Sequence, residues 1–235
     1  MGYLKLKKMK YYKIKSTLDQ KIVGSNYPQA YKFIKGYNPE APKAIFSISK
    51  YRTSFPDYEP DLDGIMLSGT AKKTDFVSDG FGLGFIINEK ARKIIEAYNL
   101  CPHRFYPLGL YIRKIKFDYY LFRIRSDYSD FVDYEESTFI EYNIANGKSY
   151  GAIEVHSKEN LLNKREKLKG EKDSVMYTIW GDKIVMGSKF NHELDFFSIS
   201  IIDGSTYASE RLANDILSNG LTGWDFIPAT NLFVQ

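Results

Sequence analysis

The chain has 235 residues, of which 33 are basic and 29 acidic, for a formal net charge of +4. Hydrophobic residues make up 43% and charged residues 26%, ordinary values for a folded domain, and a chain this long buries about 70% of its unfolded surface. These figures exclude intrinsic disorder, a disulfide miniprotein and a collagen-like fibre. No stretch approaches the ~18 apolar residues of a membrane span, so no membrane partner is expected.

The first residues are basic. Lys5, Lys7 and Lys8 precede a second methionine, Met9, and without them the net charge falls to +1. Residues 1–8 therefore read as a leader, either non-native or the product of an alternative start, and net charge gives little ground for a nucleic-acid partner. The leader has no apolar core of a secretory signal. The single cysteine, Cys101, forbids an intramolecular disulfide and fits a reducing compartment.

Along the chain, Tyr11–Lys15 reads as a strand, Tyr27–Lys35 as a short helix ended by Gly36, and Ala44–Ser49 as a strand. A loop over Ser54–Gly64 and a strand over Ile65–Leu67 follow. Asn88–Tyr98 has its apolar residues at Ala91, Ile94, Ile95 and Tyr98, one helical face, with Asn88 as N-cap. Strands are expected at Arg104–Tyr106, Leu110–Lys116, Tyr119–Arg125, Phe139–Tyr142 and Ala152–Val155, with a hairpin turn at Asn146-Gly147. Ser157–Leu168 is a charged helix. Val175–Trp180 and Lys183–Met186 read as a hairpin around Gly181-Asp182, and Phe196–Ile202 as a buried strand. Ser209–Ser218 is a second amphipathic helix, with Leu212, Ala213, Ile216 and Leu217 as its face, and Asp225–Ile227 a last strand. Strands and helices without regular alternation predict an α+β fold with mixed, largely antiparallel sheets.

A shift of 121 residues overlays the two amphipathic helices. Asn88 meets Ser209, and Glu89 meets Glu210; Ile95, Leu100, Phe105 and Pro107 meet Ile216, Leu221, Phe226 and Pro228. Each unit is a capped helix, a turn with a left-handed residue at Asn99 or Gly220, and a short strand ended by proline. Two similar lobes are expected, 9–116 and 117–235.

Motifs that carry chemistry are incomplete. Gly80-Phe81-Gly82-Leu83-Gly84 lacks the spacing of a dinucleotide fingerprint and the ending of a P-loop. Ser47-Ile48-Ser49-Lys50 lacks the partner motifs of a serine acyl-enzyme. Glu59, Asp61 and Asp63 do not keep an EF-hand frame, because Thr70 stands at position twelve. His103, His156 and His192 have no second ligand at metal spacing, and Cys101 with His103 leaves open a small intracellular enzyme with a pocket near that pair. A nucleic-acid or regulatory binder using the basic leader is the other alternative. No cofactor or metal is implied. Ser126–Glu136 interleaves the carboxylates Asp127, Asp130, Asp133, Glu135 and Glu136 with Tyr128, Phe131 and Tyr134. Acidic groups around aromatic anchors suit a basic protein surface, so these eight residues are the candidate partner-binding segment.

Near the C-terminus, Leu194-Asp195-Phe196-Phe197 leads into Ser209-Glu210-Arg211-Leu212 and then Asn219-Gly220-Leu221-Thr222-Gly223-Trp224-Asp225-Phe226-Ile227-Pro228. This resembles the end of a bacterial immunity-protein family, formerly a domain of unknown function, whose members resemble antidotes in polymorphic toxin systems. The family pattern is an apolar strand, a Ser-Glu-Arg-Leu helix start, and Gly-Leu/Ile-Thr-Gly followed by an aromatic residue and proline. The match covers roughly Leu194–Pro228 and carries no catalytic residue. The resemblance implies a cytoplasmic, non-enzymatic protein that binds and neutralises one cognate protein toxin.

Overall fold

The computed structural model describes residues 10–51, 54–125, 127–172 and 176–234, so the expected leader lies outside them. The first half contains β1 (Tyr11–Ser16), α1 (Gln20–Val23), β2 (Ala30–Phe33), β3 (Asp63–Leu67), β4 (Phe76–Val77), β5 (Phe85–Asn88), α2 (Glu89–Glu96), β6 (His103–Ile112) and β7 (Ile115–Ile124). The second contains β8 (Thr138–Asn143), β9 (Lys148–Ile153), α3 (Lys158–Lys172), β10 (Tyr177–Met186), β11 (Phe196–Ser198), α4 (Ser200–Asp203), β12 (Thr206–Ser209), α5 (Glu210–Ser218), β13 (Trp224–Pro228) and β14 (Leu232–Val234). Short 3-10 turns occupy Ile45–Lys50 and Tyr128–Phe131.

These strands form three sheets, ordered β2-β3-β6-β7-β5-β4, β11-β12-β1-β13 and β14-β10-β8-β9. Most neighbours are antiparallel; β3–β6 and β10–β14 are parallel. The fold is α+β with mixed and antiparallel sheets, as the sequence pattern predicts.

Two units share one topology. In the first, β5 and β6 flank β7 and run antiparallel to it, with α2 crossing between them and β4 outside β5. In the second, β12 and β13 flank β1, α5 crosses between them, and β11 lies outside β12. The registers agree residue by residue. Ile87 and Pro107 both oppose Tyr120 of β7, and Ala208 and Pro228 both oppose Tyr12 of β1. Phe76 opposes Ile87, and Phe196 opposes Ala208. The central strands carry the same dipeptide at the same register, Tyr119-Tyr120 in β7 and Tyr11-Tyr12 in β1. Buried Tyr119 donates to the carbonyl of Thr74 (2.7 Å), and buried Tyr11 to that of Leu194 (3.0 Å), each just before an Asp-Phe pair.

The expected boundary between residues 116 and 117 falls inside β7, whose ten-residue pairing with β6 spans it. The second unit takes its central strand from the start of the described chain, so β1 belongs with residues 206–228 rather than with its sequence neighbours.

The two units face each other through their helices. Asn88 caps α2 by accepting from the Ala91 amide, and Ser209 caps α5 by accepting from that of Leu212. Ala91 and Ile95 of α2 share one core with Leu212 and Ile216 of α5, packed with Phe76, Phe122, Phe196 and Trp224. Leu217, a further 100° around α5 from Ile216, is exposed rather than on the core face. Lys90 donates to the Asn219 carbonyl (2.7 Å) and Tyr98 to Asp215 (3.0 Å) along the helix pair.

Two aspartates lock this arrangement reciprocally. Asp75 accepts from the Asn88 side chain (2.8 Å), at the start of α2, and from the amide and hydroxyl of Thr222 (2.8 and 2.9 Å), after α5. Asp195 accepts from Ser209, at the start of α5, and from the Asn99 amide (3.0 Å), after α2, and it also pairs with Arg211. Asn99 therefore does not take the expected left-handed cap, because its amide is held by Asp195; Gly220 does take it (φ +66°). A Cβ on Gly223 would lie 1.9 Å from the Phe76 carbonyl oxygen, so glycine is required where the loop after α5 meets β4. Next to it, Trp224 stacks on Phe76 at 3.7 Å.

The structure corrects several local expectations. Residues 30–33 are a strand, not a helix: Tyr27, Ala30, Tyr31 and Ile34 recur at helical spacing, but β3 supplies a ladder that overrides it. Ile45–Lys50 is a 3-10 turn rather than a strand. Ile45 and Ile48 lie three apart and both are buried, while Ser47 and Ser49 bond back to the carbonyls of Ala44 and Phe46. The three strands expected over 104–125 are two long ones joined at Arg113-Lys114, with Arg113 at φ +59°. Pro107 lies within β6 rather than ending it, at a point where β3 has not yet joined and β6 has a single partner.

Gly181-Asp182 is a bulge in the continuous strand β10, not a turn. The β10 backbone passes so close to α4 there that a Cβ on Gly181 would come within 2.6 Å of Ile202. Val175, the first residue of that expected hairpin, lies outside the described residues. The buried strand from Phe196 stops at Ser198, where α4 begins; there buried Asp203 pairs with Lys13 of β1 (2.8 Å) and accepts from Tyr207 (2.5 Å). The strand expected at Ala152–Val155 is β9, which starts four residues earlier, at Lys148, and ends at Ile153.

Two outcomes test this packing. Ile216 is 1% exposed, so Ile216→Ala costs ~2–5 kcal/mol in denaturant melts, and Ile95→Ala costs a similar amount; a loss under ~0.5 kcal/mol at either would remove the shared helix core. Asp195→Ala, which strands the Asn99 amide and the Ser209 hydroxyl, costs about 3 kcal/mol. Arg211→Ala costs less than Asp195→Ala, because the guanidinium is more than half exposed and the buried Asp195 carboxylate keeps its bonds from Ser209 and Asn99. The two measured together separate the contacts of the carboxylate with the helix ends from its ion pair with Arg211.

Candidate partner-binding surface

The segment from Asp127 to Glu136 joins β7 to β8 and is fixed from within; Ser126 lies outside the described residues. Asp127 starts the 3-10 turn by accepting from the amide and hydroxyl of Ser129 (3.3 and 2.6 Å). Tyr128 turns inward and packs edge-on against Phe190 and Phe197. Tyr134 stacks on Phe139 and donates to the Ser129 carbonyl (3.1 Å), and burial pushes its phenol above the usual range. Asp133 is tied by its backbone to Val185 (2.8 Å) and to Ser137, and its carboxylate accepts from the Glu136 amide (3.1 Å). Phe131 and Gly187 exchange a further backbone bond (2.7 Å).

The eight candidate residues therefore divide by direction. Tyr128 and Tyr134 serve the core, and Asp127 and Asp133 shape the backbone. Asp130, Glu135 and Glu136 face solvent, and Phe131, 36% exposed, is the aromatic ring left at the surface. Expecting three aligned aromatic anchors fails on geometry: a 3-10 turn of four residues is too short to hold Tyr134 on the face of Tyr128 and Phe131. Lys158, at the start of α3, reaches Asp127 (3.3 Å) and Asp130 (3.1 Å), and these carboxylates hold its ammonium pKa above the usual lysine range against the opposing effect of burial. Glu135 lies 3.5 Å from His156.

The other chemistry-bearing residues do not assemble. Cys101 is buried in the core with Phe197 and Leu194, and His103 turns one ring nitrogen to the Cys101 carbonyl (2.9 Å), not to the thiol, while packing edge-on against Phe105 and Phe122. Ser47 pairs with the Tyr58 hydroxyl (2.8 Å). In the glycine-rich loop, the amides of Phe81 and Gly82 point at the side chain of Asp79 (2.8 and 2.7 Å), so the loop's donors are satisfied by its own carboxylate. In the acidic loop, Asp63 is bound by Lys116 (2.7 Å) and Tyr111 (2.9 Å), and that pairing holds its carboxyl below the usual range. No group of three or more metal-ligating side chains occurs among the described residues, and no described helix is long and apolar enough to cross a membrane.

Sequence reasoning missed the two aspartates that hold the C-terminal motif in place. Their signal is the repeated Asp-Phe at 75–76 and 195–196 and the repeated Tyr-Tyr at 11–12 and 119–120. The offsets of these pairs, 120 and 108, differ from the 121 of the helices, so a single fixed shift does not align them. No protein-family model matches the chain, and no curated protein sequence matches it.

Proposed function

We propose that the protein is an immunity protein that binds and neutralises a cognate bacterial toxin in the cytoplasm, and that it does so without catalysis. Two things support this reading: the resemblance of Leu194–Pro228 to an immunity-protein family, and the way the acidic segment is built. The observation that carries it furthest is the second. Tyr128 and Tyr134 anchor the 127–136 backbone in the core, so Asp130, Glu135 and Glu136 are displayed around Phe131 on a preorganised ledge. Preorganised charge around one desolvatable ring speeds encounter with a basic partner and gives it a contact to bury. The residues of the C-terminal motif have a different part: Ser209, Thr222 and Gly223 hold the two units together.

The test uses the toxin encoded beside this protein. Asp130, Glu135 and Glu136 are changed to Lys, with Phe131→Ala made separately, and affinity and melting temperature are measured together. The triple charge reversal is expected to weaken the complex at least tenfold, most strongly at low ionic strength, and Phe131→Ala to weaken it independently of salt, both in variants that still melt cooperatively and lose only a little melting temperature through the contacts of Asp130 with Lys158 and of Phe131 with Tyr128. Tyr134→Ala is the control, because it lowers stability. A well-folded triple variant with unchanged affinity overturns the assignment of this face.

A further inference from the structure

The two helix units differ at one place where their frames agree. In the first unit the Arg92 guanidinium of α2 lies over two rings, 4.5 Å from the centre of Tyr120 and 5.4 Å from that of Phe105. Glu89 and Glu96, at 3.9 and 3.3 Å, hold its charge. A cation in this position is attracted by the ring quadrupoles. The second unit keeps three of the groups around it. Glu210 stands where Glu89 does, Phe226 where Phe105 does, and Tyr12 opposes Pro228 as Tyr120 opposes Pro107. The cation itself is not kept: Ala213 holds the place of Arg92, and Leu217 that of Glu96.

The neighbouring cations of the second unit are engaged elsewhere. Lys13 and Arg211 lie over other rings, Tyr207 and Tyr98. Lys10 comes no closer than 3.8 Å to Glu210, with its own side chain 74% exposed, so this surface pair leaves the carboxylate open to a better-placed cation. Tyr12 and Phe226 are half-buried, and Leu217, in the place of a carboxylate, is 56% exposed. The shared frame thus brings two rings, one carboxylate and one apolar wall together where α5 crosses β1 and β13. That combination suits arginine better than lysine, because a planar guanidinium stacks on rings and a compact, strongly hydrated ammonium does not. The aliphatic stem of an arginine covers apolar surface such as Leu217 while its head pairs with a carboxylate. In the first unit the arginine is delivered by a helix, so one carried on a folded partner can enter the same frame.

We propose that Tyr12, Phe226, Glu210 and Leu217 form a docking site for an arginine side chain presented by a protein partner, its guanidinium over the two rings and paired with Glu210, its stem along Leu217. The site uses none of the residues of the acidic ledge at 127–136, and its test needs no toxin. The capped tripeptide acetyl-Gly-Arg-Gly-amide, its lysine and citrulline counterparts and free arginine are titrated into the full chain, and the ring-proton NMR shifts of Tyr12 and Phe226 are followed. The arginine peptide is expected to shift both rings saturably, the lysine peptide to bind at least threefold more weakly, and the neutral citrulline peptide to leave them unmoved. Ala213→Arg combined with Leu217→Glu rebuilds the arrangement of the first unit; it is expected to melt no lower than the parent chain and to abolish the response. Tyr12→Leu, which keeps bulk but removes a ring, is expected to weaken the peptide at least fivefold while melting cooperatively, so the site stays testable if the double variant fails to fold. Reversal of Asp130, Glu135 and Glu136 to Lys is expected to leave the Phe226 shift in place, which separates this site from the ledge. No saturable shift, a response indifferent to Tyr12→Leu, equal binding of the citrulline peptide, loss of the shift in the ledge variant, or tighter binding of free arginine than of the capped peptide would each overturn the proposal.

Discussion

A reciprocal exchange of carboxylate contacts organises this protein. Asp75 and Asp195 each hold the N-cap residue of one helix and the loop that follows the other helix. Each contact satisfies donors that helix starts and tight loops leave open. The consequence is long-range: neither unit can shift along the other without breaking these carboxylate contacts in both. The aromatic core shared by α2 and α5, with Phe76 stacked on Trp224 and Phe196 against Phe122, fills the space that this exchange defines.

From that interface the rest of the architecture follows. The loop after α5 must approach β4 at backbone distance, which accounts for Gly223 and for the position of Thr222. The second unit must also complete its sheet, and it does so with β1, which pairs on both sides and is pinned through Lys13 to buried Asp203. The core on which the 127–136 segment rests is built jointly by Phe139 of the third sheet, Phe197 of β11 and Phe190 of the loop between β10 and β11. A surface suited to a partner is thereby carried by side chains that are themselves immobilised, which lowers the ordering cost of binding.

The acidic ledge is a matter of exposed charge with a fixed backbone, effective at a distance and sensitive to salt.

What the sequence determined by itself was the local, periodic and capped structure. Both amphipathic helices are legible because their apolar residues recur at 3.6 and their starts carry Asn88-Glu89 and Ser209-Glu210, interactions completed within one or two turns. The α+β class and the unity of the two helix units were legible for the same reason. Tertiary structure alone decided the elements whose backbone partners come from far away: residues 30–33 are a strand because β3 lies beside them, Gly181 is a bulge because α4 presses against it, and Pro107 stays within a strand because β6 has one neighbour there. It also decided the sites. Alternation of Tyr128, Phe131 and Tyr134 with carboxylates was readable, but which ring faces the core depends on Phe190, Phe197 and Phe139, and the meeting of Tyr12 with Phe226 exists only once β1 and β13 are in register. Periodicity reports contacts a few residues apart; register and burial are set by residues tens to hundreds of positions away, and no local pattern encodes them.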